Sequence, residues 1–428
     1  MRTKILIACV FGACVPDVHG AENGGLTIDE AVARALARNP VLTAAAEEVA
    51  AADARAHQAG LWPNPEIELE VENFGGSDEL SGFDGAESTA VLTQPLPLGG
   101  KPGRRRAVAE SEIRLARLDL ESVRLDTVAK ATSAFYGVLA AQQRRDLAAR
   151  LLEISEDFAR VVGARVDAGK VSPVEATRAD IEVAQGRIGL ARANRALNAA
   201  QVELAATWGT TSVDFERADG TLPVPTMPPT IDRLRSMMED VPELRRLEEE
   251  IERQQRAIAF EKALGIPDLA IGAGPRRYRD TGQSAWVAGV TVSIPVFDRN
   301  QGARKAAEFD LERVRHESEA HRVHLEAELR VLAERLQAAA EASLSAQSEV
   351  MPAATGALTA VETGYREGKF GFIDVIAAQR TFFEASSLLL DSLEEYALTR
   401  TELERLLGRG LVRSGHASVQ SENQGEMQ

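Results

Sequence analysis

Three histidines on one predicted helix could bind a metal. His316, His321 and His324 lie close together, and His321, His324 and Glu328 follow the spacing i, i+3, i+7 of one helical face. Imidazole and carboxylate groups coordinate Zn²⁺, but the usual catalytic zinc helix has its two histidines four residues apart beside a glutamate. Because that frame is absent, the pattern favours a solvated histidine face, with a metal site as the alternative.

Other sequence patterns that could support catalysis are also absent. The stretch "GGKPGRRR" (99–106) is glycine-rich and basic, yet it lacks the spacing of a phosphate-binding P-loop. It is interpreted as a turn at a junction between two elements. The sequence shows no GxSxG, dinucleotide fingerprint or CxxC pattern. We therefore expect neither an enzyme nor a cofactor, and no resident metal.

Composition excludes further classes. The formal net charge of -16 makes nucleic acid an improbable partner. Hydrophobic residues make up 44% of the chain but aromatic residues only 5%, a bias that suits long helices. Beyond the N-terminus, no run approaches the ~18 uncharged apolar residues of a membrane-spanning helix.

The first twenty residues have the organisation of a signal peptide. A short basic start precedes an apolar run, and small residues precede a predicted cleavage site before Ala21. Cleavage would remove Cys9 and Cys14, leaving a chain without thiols, as suits an oxidising compartment. The alternative is a lipoprotein, in which Cys14 would be the lipidated residue.

The chain contains an internal repeat with a spacing close to 200 residues. "AGKVSPVE" (168–175) and "EGKFGFID" (367–374) both join two helical runs through Gly-Lys, and Gly169 and Gly368 are 199 positions apart. Such a spacing predicts two structural halves. We assign the first repeat to 21–210, a Pro-rich linker to 211–230, the second repeat to 231–410, and a disordered C-terminal tail to 411–428.

Each half has the same predicted order of a helix, a β-hairpin, a long helix, a tight tip and a helix. In the first half the predicted helices are 28–60, 104–169 and 172–208, and the strands are 66–74 and the segment ending at Pro95. In the second half they are 231–264, 303–368 and 372–407, with strands at 268–274 and 284–297 and a loop at 275–283. Thr27 or Asp29 is the expected first N-cap, Ser172 is the cap after the first tip, and Pro352 requires a bend.

The predicted strands have two different faces. Glu66, Glu68, Glu70 and Glu72 alternate with Ile67, Leu69 and Val71, as in a barrel strand with a wet lumen on one side and lipid on the other. Trp286 is a candidate for an interfacial aromatic belt. Four strands are too few for a barrel, but three copies of the chain would supply twelve. A soluble amphipathic sheet is the alternative.

The paired tips carry a resemblance to a known family. "RVDAGKVSPVEATRADIEVAQ" and "YREGKFGFIDVIAAQRTFFEA" are similar to the tip pattern of TolC-type outer-membrane efflux factors. "LTQPLPLGGKPGRRRAVAE" and "VSIPVFDRNQGARKAAE" resemble the strand-to-helix junctions of the cation-efflux, CzcC-like branch. The resemblance covers nearly all of the mature sequence, in order, in both halves.

The resemblance implies a mainly α fold with a small β part: a long-helix α-barrel in the periplasm, and four strands per chain in a trimeric twelve-strand barrel in the outer membrane. The implied function is the channel of a tripartite efflux system, exporting heavy-metal cations received from an RND-type inner-membrane pump and a periplasmic adaptor. A periplasmic coiled-coil adaptor or scaffold is the alternative. An adaptor would carry one helical hairpin rather than two matched halves.

The resemblance also assigns roles to particular residues. The tips that would dock the adaptor are Gly169, Lys170, Val171, Ser172, Gly368, Lys369, Phe370 and Gly371. The prolines expected at helix–strand junctions are Pro63, Pro65, Pro95, Pro97, Pro267 and Pro295. Asp374, with Glu175 as its counterpart, matches an acidic residue at the channel mouth, where three chains would form a cation-attracting ring. Relatives often have a second Asp where this chain has Ala377, and the alternative is that Asp374 stabilises its own helix start.

Overall fold

The computed structural model describes residues 25–78, 82–238 and 241–411. The predicted signal peptide, including Cys14, and the predicted tail after residue 411 lie outside the described residues.

The helices and strands follow the same order in the two halves of the chain. The first half contains α1 (Ile28–Arg38), α2 (Pro40–Gly60), β1 (Glu66–Glu72), β2 (Glu87–Leu96), α3 (Lys101–Asp167) and α4 (Pro173–Ala206). The second contains α5 (Ile231–Met237), α6 (Pro242–Leu264), β3 (Leu269–Tyr278), β4 (Ser284–Val292), α7 (Gln301–Ser345), a π-helical segment (Ala346–Val350), α8 (Met351–Arg366) and α9 (Phe372–Leu407). The mainly α fold with four strands is confirmed.

The prediction of one continuous helix at the start of each half is wrong. In the first half the helix ends before Pro40, because proline has no N–H and disfavours helical geometry in the residue before it. Asn39 then caps α2, accepting hydrogen bonds from the backbone of Val41 at 2.8 Å and Leu42 at 3.3 Å. Pro242 likewise begins a separate helix in the second half. Of the two predicted N-caps of α1, Thr27 is the one observed.

The two long helical runs differ. α3 continues without interruption for 67 residues, about 100 Å at the usual rise per residue. In the second half the run changes from α to π geometry at Ala346–Val350, immediately before Met351 and Pro352. A π turn thus lies beside Pro352, where we expected a bend, and the helix continues through it.

The four strands form one antiparallel sheet in the order β1-β2-β3-β4. Its register places Glu66, Glu68, Glu70 and Glu72 on one face, and Ile67, Leu69 and Val71 on the other with Leu92, Ile271, Trp286, Val290 and Val292. The two-faced pattern expected for β1 thus extends across all four strands.

The predicted loop 275–283 is wrong in its first part, because β3 continues to Tyr278. Arg276 explains the extension. Its guanidinium pairs with Glu72 at 3.1 Å and Glu87 at 3.2 Å, and its Nε donates to Thr89 at 2.9 Å. Cross-strand partners of opposite charge stabilise adjacent strands, so the second hairpin continues past Pro275.

The long helices form a layer with α3 between α4 and α9, and α9 between α3 and the α7–α8 run. The segment predicted as a linker packs against this layer. Gln142 of α3 exchanges two hydrogen bonds with the backbone of Ala218, at 2.8 and 3.0 Å, and the Tyr396 hydroxyl of α9 accepts one from the backbone N–H of Thr226 at 3.0 Å. These contacts join the two halves midway along the helices. Across residues 25–78, 82–238 and 241–411, no helix combines the length and apolar character needed to cross a membrane.

Candidate functional site: the paired helical tips

Each long hairpin reverses direction at a glycine in left-handed geometry, with φ of 66° at Gly169 and 80° at Gly368. The residue after each glycine closes the turn: the backbone N–H of Lys170 donates to the carbonyl of Arg165 at 2.9 Å, and that of Lys369 donates to the carbonyl of Gly364 at 2.7 Å. This is the hydrogen bonding of a helix C-cap that requires positive φ. The glycine caps expected from the sequence are therefore present at both tips.

The helices that leave the two tips begin with different caps. In the first, the Ser172 hydroxyl accepts a hydrogen bond from the backbone of Val174 at 3.3 Å, as predicted. In the second, the Asp374 carboxylate accepts one from the backbone N–H of Gly371 at 2.8 Å. Side-chain oxygens at these positions satisfy N–H groups that no helix carbonyl can reach.

The exposed surface of the two tips also differs. Lys170 and Lys369 are both exposed, and Lys369 pairs with Glu367 at 2.6 Å. Val171 is half-buried, whereas Phe370 exposes 44% of its surface. The Phe370 ring lies on Gly364 so closely that any side chain at Gly364 would displace it. The second tip thus presents an aromatic ring where the first presents a smaller aliphatic residue.

Behind the tips, the two hairpins share a small apolar cluster. Its buried members are Val162, Ala179, Tyr365, Phe372 and Val375. Phe158 of α3 reaches across to the second hairpin, with ring centroids 5.0 Å from Tyr365 and 5.5 Å from Phe372. Aromatic pairs at these separations stabilise packing beyond the area they bury. The cluster therefore fixes the position of one tip relative to the other.

Arg165 forms the polar side of this cluster. Its guanidinium lies 4.5 Å from the centroid of the Tyr365 ring and donates to the Tyr365 carbonyl oxygen at 2.9 Å. Within the described part of the chain, the Tyr365 hydroxyl and one carboxylate oxygen of Glu175 are buried without a hydrogen-bond partner. Burial raises the pKa of the Tyr365 phenol, the positive charge of Arg165 opposes the rise, and the Glu175 carboxylate adds to it.

The sequence reasoning missed Arg165, Tyr365 and Phe158. Tyr365 and Arg165 lie 200 residues apart, and their contact depends on how the two hairpins lie side by side. The available signal was the 199-residue repeat, which aligns the tips and brings the last turn of α3 beside the last turn of α8.

The two acidic residues predicted at a channel mouth occupy different environments. Glu175 is half-buried next to the shared cluster, whereas Asp374 is exposed and caps its own helix. The alternative role of Asp374, stabilising the start of its own helix, is therefore supported by a hydrogen bond. A ring of these carboxylates around a channel axis stays a prediction.

The junction prolines lie at or near the places where helices and strands meet. Pro63 and Pro65 separate α2 from β1, Pro267 separates α6 from β3, and Pro295 follows β4. Pro97 follows β2 directly. Pro95, in contrast, lies within β2, opposite Ala270 of β3.

The histidines do not form a metal centre in the described part of the chain. His316, His321 and His324 are all exposed on α7. Among residues 25–78, 82–238 and 241–411, no group of three or more His, Cys, Asp or Glu side chains converges as metal ligands would.

Comparison with known proteins adds the family. Residues 31–210 and 234–409 match the family model described as outer membrane efflux protein. The chain is 33% identical to the cobalt-zinc-cadmium resistance protein CzcC of Cupriavidus metallidurans over 386 residues, covering 90% of this chain and 91% of that protein.

Two solved structures share the fold. The CusC structure superposes with a TM-score of 0.76 at 16% identity, covering 90% of this chain and 92% of that one. The outer membrane protein VceC of Vibrio cholerae superposes with a TM-score of 0.75 at 17% identity, covering 90% and 97%.

The family match spans both halves, and the fold has two matched hairpins, which decides against an adaptor or scaffold. With its helical hairpins and its four-strand sheet, the chain belongs to the outer membrane efflux protein family, whose members are channels rather than enzymes.

Proposed function

We propose that three copies of this outer-membrane channel protein form an efflux duct for divalent heavy-metal cations, with the helical tips docked on a periplasmic adaptor that links the duct to an RND-type pump. The observation that carries the proposal is that the sheet and the helical layer of a single chain each have two edges without a partner among the described residues.

In the sheet, β1 and β4 are the outer strands, and within the described ranges each pairs on one side alone. In the helical layer α4 lies at one edge and the α7–α8 run at the other, without extensive contact between them among the described residues. Exposed strand edges and apolar helix edges require a partner. Copies joined edge to edge would close both layers together, and twelve strands from three chains suffice for a transmembrane barrel.

Apolar residues on the two helical edges support this closure. On α4, Val174, Ile181 and Ile188 expose 58%, 50% and 53% of their surface at seven-residue intervals. On α7, Phe309 and Val323 expose 63% and 61%, two heptads apart. Apolar positions that repeat every seven residues form the seam between two long helices. Each edge therefore carries exposed apolar positions that a neighbouring copy could cover, the α4 set towards the tips and the α7 set towards the sheet.

Docking at the tips follows from their geometry. Left-handed glycines close the turns, the shared apolar cluster packs behind them, and the turns lie at the ends of the long helices far from the sheet. Phe370 packs on Gly364 with part of its ring and leaves 44% of its surface exposed next to Lys369, while Lys170 is exposed at the other tip. Such a surface suits the helical hairpin of an adaptor.

The cargo is inferred from the similarity to CzcC, whose name assigns it to cobalt, zinc and cadmium resistance. The chain's own charge agrees with cationic cargo, since an acidic protein attracts cations along its surfaces.

Gene deletion tests the cargo. The deletion strain should become more sensitive to cobalt, zinc and cadmium while its drug tolerance changes little, and a plasmid copy should restore resistance. Sensitivity to drugs without sensitivity to metals would contradict the metal assignment. Cross-linking in isolated outer membranes tests the assembly separately: a ladder that ends at three chains supports it, and one that ends at one or two chains contradicts it.

A further inference from the structure

The apolar face of the sheet does not end with the strands. At the ends nearest the helices, large apolar residues stay exposed at all four helix–strand crossings: Leu61, Trp62, Leu98, Ile266, Ile294, Val296 and Phe297, with exposures from 41% to 91%. Ile294 follows Trp286, Ala288, Val290 and Val292 in the alternation of β4. We call this set the junction collar.

The junction collar is accompanied by a local reversal of charge. The crossing segments 57–65, 97–106, 262–268 and 293–305 hold eight cations and two acids, in a chain with a formal charge of -16. The cations are Lys101, Arg104, Arg105, Arg106, Lys262, Arg299, Arg304 and Lys305, and the acids are Asp268 and Asp298. Positive charge is thus concentrated beside the exposed apolar residues.

Four of these cations have no carboxylate partner among the described residues: Lys262, Arg104, Arg105 and Arg299. The others pair with Asp268, Glu110 or Glu308.

Two of the four are held by backbone carbonyls. Arg105 donates to the carbonyls of Ala59 and Leu61 at 2.5 and 2.9 Å, and Arg104 donates to the carbonyl of Gly99 at 3.2 Å. Ala59 lies in the last turn of α2, where helix carbonyls carry partial negative charge. These bonds fix the guanidinium groups at the surface, but they do not supply a full counter-charge. An anion next to the junction collar would supply it.

We propose that the junction collar and its unpaired cations bind anionic phospholipid headgroups in the membrane leaflet that faces the periplasm. The inference rests on the proposed function, because it requires the sheet to lie in a bilayer with the helices on the periplasmic side. The apolar residues contact acyl chains and the cations contact phosphates, as in basic segments next to a membrane-spanning element. Trp286 and Ile294, two residues past the end of β4, are separated by about 26 Å of extended chain, or roughly 20 Å of height at the usual strand tilt, which is comparable to the apolar band of an outer-membrane barrel.

Tryptophan quenching by brominated lipids tests this site. One reporter is Ile294→Trp with Trp62, Trp208 and Trp286 changed to Phe, and the matched reporter keeps Trp286 alone on the same face of β4. The purified assembly is reconstituted in phosphatidylethanolamine vesicles with a minority of phosphatidylglycerol, one of the two lipids being brominated. At low salt we expect the Ile294→Trp reporter to prefer phosphatidylglycerol about fivefold, the effect of roughly one cation at a membrane surface. The Trp286 reporter should show no preference.

Charge variants identify the cations. Lys262→Gln with Arg299→Gln should lower the preference, with the remainder due to Arg104 and Arg105, whereas Arg150→Gln with Arg192→Gln, which removes the same charge from α3 and α4, should leave it unchanged. Salt should weaken it by screening. Equal quenching by both lipids, or a preference that Lys262→Gln with Arg299→Gln leaves unchanged, would overturn the proposal. So would quenching at Trp286 without quenching at Ile294→Trp. Absence of quenching at both reporters would refute the membrane-inserted sheet, and with it the proposed function.

Discussion

The first hairpin of the chain, α3–α4, and the second, α7–α8–α9, share the same order of elements and differ in the geometry of their first, longer helical run. α3 is continuous over 67 residues. Its counterpart changes to π geometry at Ala346–Val350, and Pro352 follows two residues later. A π turn inside an α-helix inserts one extra residue and often marks a functional position. The second hairpin therefore carries a π turn closer to the tip than to the sheet, and α3 and α4 of the first hairpin carry none.

The tips repeat this contrast. Ser172 caps the first return helix with a neutral hydroxyl, and Asp374 caps the second with a charged carboxylate. The linker contacts at Gln142 and Tyr396 fix α3 to α9 on the sheet side of the π segment. The two hairpins therefore differ in helix geometry and in the residues that cap their return helices. Four predictions test this contrast.

The largest effect is expected from distorting the tips. Gly169→Val or Gly368→Val places a β-branched residue in left-handed geometry, at a cost of about 1–2 kcal/mol at that turn. No neighbouring atom lies within 4 Å of the added Cβ, so backbone strain is the whole effect. Metal resistance should fall towards that of the deletion strain, while cross-linked assembly in the outer membrane persists.

Gly169→Asn and Gly368→Asn are the matched controls, since asparagine tolerates left-handed geometry. They should retain most of the resistance. If the Val variants were as resistant as the native chain although exchange data showed altered tips, the docking role would be wrong.

The second prediction concerns the π segment. Amides near Ala346–Val350 should exchange with solvent on the order of tenfold faster than those of the corresponding turn of α3, 199 residues earlier, because the π turn weakens local hydrogen bonding. Deleting Ser348 should restore α geometry and remove the difference in a hydrogen-exchange experiment. Deleting Ala149, the corresponding residue of α3, should disturb the helix, because α3 is a regular α-helix without a π turn. Equal exchange in the two native segments would remove the proposed asymmetry.

The sequence predicted the features that depend on local chemistry. The glycine caps, the Ser172 cap and the disturbance at Pro352 follow from the backbone limits of single residues, so their types sufficed. The alternating faces of β1 were equally local. The break at Pro40 was also available from proline chemistry, but the apolar pattern on both sides concealed it.

The remaining features depend on residues far apart in the chain. β3 continues past Pro275 because Arg276 meets Glu72 and Glu87 on two other strands. Arg165 meets Tyr365 only when the two hairpins pack side by side. Composition and spacing do not encode such partners, so the loop at 275–283 was misplaced and the shared cluster behind the tips was missed.

The third prediction concerns the apolar cluster that the two hairpins share. Arg165→Gln removes a cation–π contact and a hydrogen bond to the Tyr365 carbonyl, a loss of about 1–2 kcal/mol in local stability. Amides of both tips should exchange several-fold faster, and those near the sheet should not change.

Tyr365→Phe is the control: it keeps the ring and removes a buried hydroxyl that has no partner within the described chain. It should be neutral or slightly stabilising. If Tyr365→Phe loosens the tips more than Arg165→Gln does, the hydroxyl is bonded in the assembly.

The smallest effect is expected from Asp374 and Glu175, the two acidic residues near the tips. Asp374 is exposed, and in an assembly of three chains its charge would be repeated around the axis, whereas Glu175 is half-buried behind the tips. Asp374→Asn keeps an oxygen that can accept from Gly371, so the helix start is retained while the charge is lost. In planar bilayers, single channels should then show a lower preference for cations and weaker block by divalent cations added on the tip side. The difference should shrink as salt rises, since screening acts over ~10 Å at 0.1 M.

Glu175→Gln should change selectivity less, because its carboxylate faces the shared cluster. Should Asp374→Asn and the native channel behave alike at low salt, Asp374 serves its helix alone, and the charge difference between the two caps has no part in selecting ions.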